Sequence, residues 1–233
     1  MRRDIVDKVE ECLSTRFDVR TGRKVPNVSR LTFKSDGVVY DGTVLYSDVV
    51  GSTKLGSQVG YDVTAKIIQA FMIGTSALIT ELDGRVTAFD GDRAMAVFDG
   101  DDQEQTAVSC AFQITYFVSE ILNPLISKHL SERPLPEPLR CCSGVDAGEM
   151  FVVKVGHRGN NDLLWSGRPA NFAAKLSAHR KPFFSTVITH RVFSQLGTDL
   201  TRVHEKAIWK KFNCDGIGMH VYGTDTGMQF KGE

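Results

Sequence analysis

The stretch Gly42-Thr-Val-Leu-Tyr-Ser-Asp48-Val-Val50, followed by Gly51-Ser-Thr53, decides how the chain is read. Its β-branched and aromatic residues mark a strand, which Gly51-Ser-Thr53 breaks. With a side-chain period of two, Tyr46 and Asp48 share one face of that strand. A helix is expected next over 61–82, because Val63, Ile67, Phe71, Gly74, Leu78 and Leu82 recur at three- and four-residue intervals. Asp83-Gly84 closes it with a glycine suited to a left-handed exit. Arg85-Val-Thr-Ala-Phe89 and Arg93-Ala-Met-Ala-Val-Phe98 then flank Asp90-Gly91-Asp92, a hairpin signal.

A second helix is expected over 101–123, with Ala107, Ala111, Ile114, Val118, Ile121 and Leu125 in register. The proline-rich 131–138 reads as a loop, and 139–155 as a second hairpin turning near Asp146-Ala-Gly-Glu149. A third helix over 168–179 precedes short strands that include 185–189 and 220–222. Upstream, 3–14 reads as an amphipathic helix with Ile5, Val6, Val9 and Leu13 on one side. Residues 15–40 read as a polar, turn-rich lead-in. This order predicts an α+β fold, a mainly antiparallel sheet with helices on one face.

Basic and acidic residues balance at 28 each, so no cationic surplus is present to neutralise a nucleic-acid backbone, and none is expected as partner. A content of 42% hydrophobic and 24% charged residues suits a soluble globular chain. MRRDIVDKVEECL lacks the apolar core of a secretory signal, and no stretch reads as a membrane span. The five cysteines form no C-x-x-C pair and read as small buried hydrophobes in a reduced cytoplasm.

Asp48 near the strand end and Asp92 at the hairpin tip converge if the two elements are sheet neighbours. Two such acids can hold two hard cations and clamp a triphosphate. The backbone of Val50, Gly51, Ser52 and Thr53 can offer free N–H groups to phosphate at a helix start. Read singly, Asp48 is equally a helix cap and Asp92 a turn residue. Trp165-Ser-Gly-Arg-Pro-Ala-Asn171-Phe-Ala-Ala-Lys175-Leu176 sets Asn171 and Lys175 four residues apart on one helix face. An amide and an ammonium there suit a sugar and a phosphate, or a solvated surface.

Together these stretches resemble the class III nucleotidyl cyclases, the adenylate and guanylate cyclase catalytic domain. Leu45-Tyr-Ser-Asp48-Val-Val-Gly51-Ser-Thr53 is similar to the family's aromatic-x-D-[IV]-x-G-[FS]-T motif. Gly84-Arg-Val86 through Gly91-Asp92-Arg-Ala-Met-Ala96 resembles G-x-V…G-D-x-x-M-A. Arg140-Cys-Cys-Ser-Gly144-Val-Asp-Ala-Gly148 resembles R-x-G-I-H-x-G, shifted at the arginine and with Asp146 at the histidine. Gly167-Arg-Pro-Ala-Asn171-Phe-Ala-Ala-Lys175-Leu176 resembles G-x-x-V-N-x-A-A-R-L.

The resemblance implies a ferredoxin-like, palm-type cyclase domain over 41–225, after an N-terminal 1–40 and before a tail at 226–233. It implies that Asp48, Asp92 and the Val49 carbonyl hold two divalent cations, Mn²⁺ or Mg²⁺. Asn171 would orient the ribose, and Lys175 would stand for the usual arginine that meets the triphosphate. It also implies a head-to-tail homodimer whose sites are shared between chains.

The chain departs from the family at the base pocket. Ala88 stands where adenine-selecting members carry lysine, and Leu164 where they carry aspartate or threonine. This combination resembles the pyrimidine (uridylate) cyclases of bacterial Pycsar anti-phage defence. Tyr46 and Trp165 would then fill the volume of a second purine ring, and Asp90 and Arg93 would read the smaller base. UTP is the expected substrate. A CTP cyclase, a purine cyclase with relocated readers, and a dead nucleotide-binding signalling domain are the alternatives.

Overall fold

The structure, a computed structural model, describes residues 2–157 and 160–227; the expected tail beyond 227 lies outside them. Helix α1 (Arg2–Ser14) leads into β1 (Asp18–Gly22), which pairs in parallel with the first residues of β2 (Asp36–Val49). The supposed lead-in therefore supplies a strand and the first part of the central strand, and the expected boundary at 41 falls inside β2. Buried Val38 and Tyr40 explain why: the alternation begins before the run that looked most strand-like.

Gly51, at φ 75°, turns the chain straight into α2 (Ser52–Val59), a short helix at the expected helix start but ahead of the helix expected over 61–82. Helix α3 (Tyr61–Glu81) and the hairpin β3 (Arg85–Asp90) and β4 (Arg93–Phe98) follow as expected. By length and composition α3 could cross a membrane, contrary to the reading that no stretch qualifies. Its Val63, Ile67, Phe71, Leu78 and Ile79 are instead buried in the core. Helix α4 (Gln103–Tyr116) runs through a π-helical segment (Phe117–Leu122) into α5 (Asn123–His129), outlasting the predicted end at 123.

The expected hairpin over 139–155 does not form. Strand β5 (Cys141–His157) continues through Asp146–Glu149, and β6 (Asn160–Ser166) is its antiparallel partner. The Ala-Gly pair that read as a turn lies within β5, where Gly148 takes φ 146° and β5 stays paired with β2. Helix α6 (Arg168–Ser177) and β7 (Thr186–Thr189) come next. Short helices α7 (His190–Phe193) and α8 (Thr198–Thr201) precede the ribbon β8 (Arg202–Val203) and β9 (Lys206–Ala207). Strands β10 (Lys210–Cys214) and β11 (Met219–Thr224) end the fold.

The main sheet has the order β10-β11-β7-β5-β2-β4-β3, with β1 on β2 and β6 on β5. Among the described residues only the β1–β2 and β5–β7 pairings are parallel, so the mainly antiparallel expectation holds. Helices cover both faces rather than one. Leu45, Ala96 and Val145 point into a core with α3 and α4. Their neighbours Val44, Met95 and Val97 point to the other side, against Ala170 and Ala173 of α6. A Cβ on Gly144 would lie 2.2 Å from the Ala173 carbonyl oxygen, so only glycine lets α6 sit directly on β5. Cys110, Cys141, Cys142 and Cys214 are buried as expected, whereas Cys12 is exposed. Adjacent Cys141 and Cys142 enter separate clusters, as neighbours in a strand must.

Candidate active site

Strand β2 pairs with β4 so that Asp48 faces Arg93, and β4 pairs with β3 so that Arg93 faces Asp90. One row of the sheet thus carries Asp90, Arg93 and Asp48. The next row on the same face carries Ala88, Met95 and Tyr46. Register across three strands, set by the β3–β4 turn at Gly91, therefore brings residues far apart in sequence into one patch.

Asp48, Val49, Gly51, Ser52, Thr53, Asp90, Asp92 and Arg93 line an open cavity of about 400 Å³. Asp48 is only 7% exposed. Burial pushes its carboxyl above the usual range, and the negative charge of Asp92 adds to that push. Asp48 and Asp92 in one cavity form an oxygen donor set suited to a hard cation. Among the described residues no group of three or more His, Cys, Asp or Glu gathers as a metal site. A cation held there would need a further donor, such as a backbone carbonyl, to complete the set.

Val50 lines an adjoining cavity of about 300 Å³ with Gly51, Lys54, Gln58 and Arg140. Lys54 was not singled out in the sequence, although its place in the first turn after Gly51-Ser-Thr53 was a usable signal. Arg140 was seen only as a motif residue; its guanidinium lies 3.5 Å from the Phe183 ring centroid. Gly51 belongs to both cavities, so the turn that starts α2 joins a chamber with three aspartates and two arginines to one that holds Lys54 and Arg140 beside Glu137. That combination suits a triphosphate carried with a divalent cation.

No family profile matches the chain. A uridylate cyclase of Xanthomonas perforans is 36% identical over 196 residues, 84% of this chain and 83% of that protein. One from Rhodovulum sp. (strain MB263) is 35% identical over 193 residues, 82% and 80% of the two chains. One from Burkholderia cepacia is 33% identical over 222 residues, 94% of each. The chain belongs to this family of nucleotidyl cyclases. Its fold is shared with the adenylyl cyclase CyaB from P. aeruginosa at a TM-score of 0.68 and 18% identity, covering 84% of this chain and 100% of that one. The guanylyl cyclase Cya2 gives 0.67 and 18%, covering 83% and 95%. The cyclase accordingly takes a nucleoside triphosphate.

Of the remaining expected site residues, Asn171, Lys175, Leu164 and Trp165 do not line the acidic cavity, while Tyr46 and Ala88 lie one row from it. Asn171 and Lys175 lie exposed on α6 and line neither cavity; Asn171 Nδ2 donates to the Gly167 carbonyl at 3.0 Å. Leu164, 48% exposed, sits on β6 opposite Val153. Trp165 is buried edge-on against Tyr40, with ring centroids 6.2 Å apart and Nε1 without a hydrogen-bond partner. It packs within the cluster that Tyr46 and Ala88 border. Burial raises the Tyr46 hydroxyl above its ordinary value, opposed by the charge of Arg93. Arg93 itself is ion-paired with Asp90.

Arg180 was also missed. Its Nη2 donates to Asp48 Oδ2 at 2.6 Å, and it lines the acidic cavity. Nothing local marks it, because the contact spans 132 residues of sequence.

Proposed function

We propose that the cyclase converts UTP to 3′,5′-cyclic UMP and pyrophosphate, with two divalent cations, Mn²⁺ or Mg²⁺, in a site shared by two copies of the chain. The observation that carries this reading is the pairing of Asp48 and Asp92 in one cavity, beside the Arg93–Asp90 pair. Asp48, Asp92 and the Val49 carbonyl hold the cations. When bound, these supply Lewis-acid activation of the ribose 3′-hydroxyl and neutralise phosphate charge. Backbone N–H groups at the start of α2, with Lys54 and Arg140, bind the phosphate chain. Asn171 orients the ribose, and Lys175 meets charge developing on the leaving pyrophosphate.

The exposed placement of Asn171 and Lys175 supports a second copy, because neither residue has substrate to meet within its own protomer. For the base, Ala88 and Leu164 leave purine edges without partners, at about 1–3 kcal/mol per unpaired polar group. Arg93 offers donors to the two carbonyls of uracil and meets repulsion from the amino group of cytosine. The names of the relatives favour the same base. By resemblance to the anti-phage cyclases, the product serves as a cytoplasmic second messenger in antiviral defence.

The test is an equimolar mixture of the four triphosphates with Mn²⁺, the cyclic products identified by mass. Cyclic UMP should dominate. Dominant cyclic AMP or cyclic GMP overturns the pyrimidine reading, and dominant cyclic CMP overturns the choice of uracil. The absence of any product would favour a nucleotide-binding signalling domain.

A further inference from the structure

Arg180 follows α6 at its C-terminal end, and its guanidinium is held from two sides. Nη1 donates to the carbonyl of Ser177, the last residue of α6, at 2.6 Å, and to that of His179, just beyond the helix, at 2.9 Å. Nη2 reaches the other way, to Asp48 Oδ2. The side chain is 32% exposed, so solvent and ions reach the contact from the cavity that both residues line. Asp48 is the deeper of the two acids and carries the burden of burial and of its neighbour's charge. Arg180 is the cation bonded to it in the isolated protomer, and Arg93, opposite Asp48 on β4, adds positive charge in the same cavity.

The geometry points to Arg180 as a resident counter-cation for Asp48, which a divalent cation must displace before the catalytic site is complete. This rests on the proposed role of Asp48 as a cation ligand. A guanidinium on Oδ2 occupies the oxygen that an incoming ion needs, and its charge repels that ion across the cavity. The backbone anchors on Nη1 keep the guanidinium near the cavity after displacement, because only the Nη2 bond to Asp48 has to break. Arg180 is therefore a positioning residue that acts through Asp48: it sets how strongly the nucleotide-free enzyme holds metal. A merely structural arginine would have the opposite signature, since its loss would loosen Asp48 and weaken binding.

The test measures free Mn²⁺ by electron paramagnetic resonance in titrations of the full chain without nucleotide. Arg180→Met should bind Mn²⁺ about tenfold more tightly than the unaltered protein, because a like charge beside the ion is removed. Arg180→Lys, which keeps the charge but loses the planar fork, should fall between them. The Mn²⁺ concentration for half-maximal turnover should fall in the same order. Unchanged or weaker binding in a folded Arg180→Met protein overturns the proposal, and Arg180→Gln repeats the measurement if that variant does not fold. Asp48→Asn separates the two readings: if it leaves Mn²⁺ binding intact, the cation assignment fails and the counter-cation role with it. If it abolishes binding while Arg180→Met changes nothing, only the role of Arg180 fails.

Discussion

Arg168, the first residue of α6, donates through Nε to the carboxylate of Asp146 on β5 at 3.1 Å, and through Nη2 to the Ala147 carbonyl at 3.1 Å. Asp146 is fully buried and also accepts from Thr189 Oγ1 of β7 at 2.6 Å. One carboxylate thus ties the start of α6 to two strands, and α6 carries Asn171 and Lys175. Asp146→Ala should cost about 1–3 kcal/mol in urea unfolding. The figure is held down because Arg168, 44% exposed, can turn to water. Turnover should fall beyond the stability loss, since the helix start is no longer fixed. Unaltered kinetics in the folded variant would count against that positioning.

The same carboxylate has a pH signature. Burial pushes the Asp146 carboxyl above its ordinary value of 3.8, against the opposing pull of Thr189 and Arg168. Its folded form therefore binds a proton more readily than its unfolded form. The stabilisation that comes with protonation is fully present below 3.8 and is lost as pH rises through the raised value. Asp146→Asn lacks this titration, so acidification toward pH 4 should improve the unaltered chain relative to the variant. Thermal melts of the pair across that range measure it, and parallel curves would refute the prediction.

Removing either acid of the acidic cavity should silence the enzyme without unfolding it. Asp48→Ala and Asp92→Ala each delete a charge at the cavity wall, and turnover should drop about 10³-fold or more. Circular dichroism should stay native. Wild-type rates in Mn²⁺ for either variant would contradict the metal assignment.

Assembly is tested by mixing inactive subunits. If Asp92 of one chain works with Lys175 of another, Asp92→Ala mixed with Lys175→Ala should regain part of the activity, because one heterodimer site holds every group. Subunits shown to exchange without recovering any activity would mean that each site is built within one chain.

Local chemistry made half of the site legible. A β-rich run broken at Gly51 had to place Asp48 near a strand end, and apolar runs around Asp90-Gly91-Asp92 had to place Asp92 at a turn. The period of two assigned Tyr46 to the face of Asp48, and β2 bears this out. Where the reading failed, the deciding forces were not local. Ala147 and Gly148 look like a turn in isolation, yet continuous pairing with β2 keeps β5 extended through them. Polar residues 18–22 look like loop until the edge of β2 offers them a ladder.

By itself the sequence determined the kinds of elements, the acids at their ends and the family motifs, because each depends on neighbours within a few residues. Only the tertiary structure decided which face α6 covers, that Asn171 and Lys175 do not line the cavity of Asp48 within one protomer, and that Arg180 closes on that acid. Those outcomes come from packing and charge between segments such as residues 48 and 180, which are 132 positions apart. Hydrophobic periodicity and turn chemistry carry no information over that span; burial of an acid, and its need for a nearby cation, do.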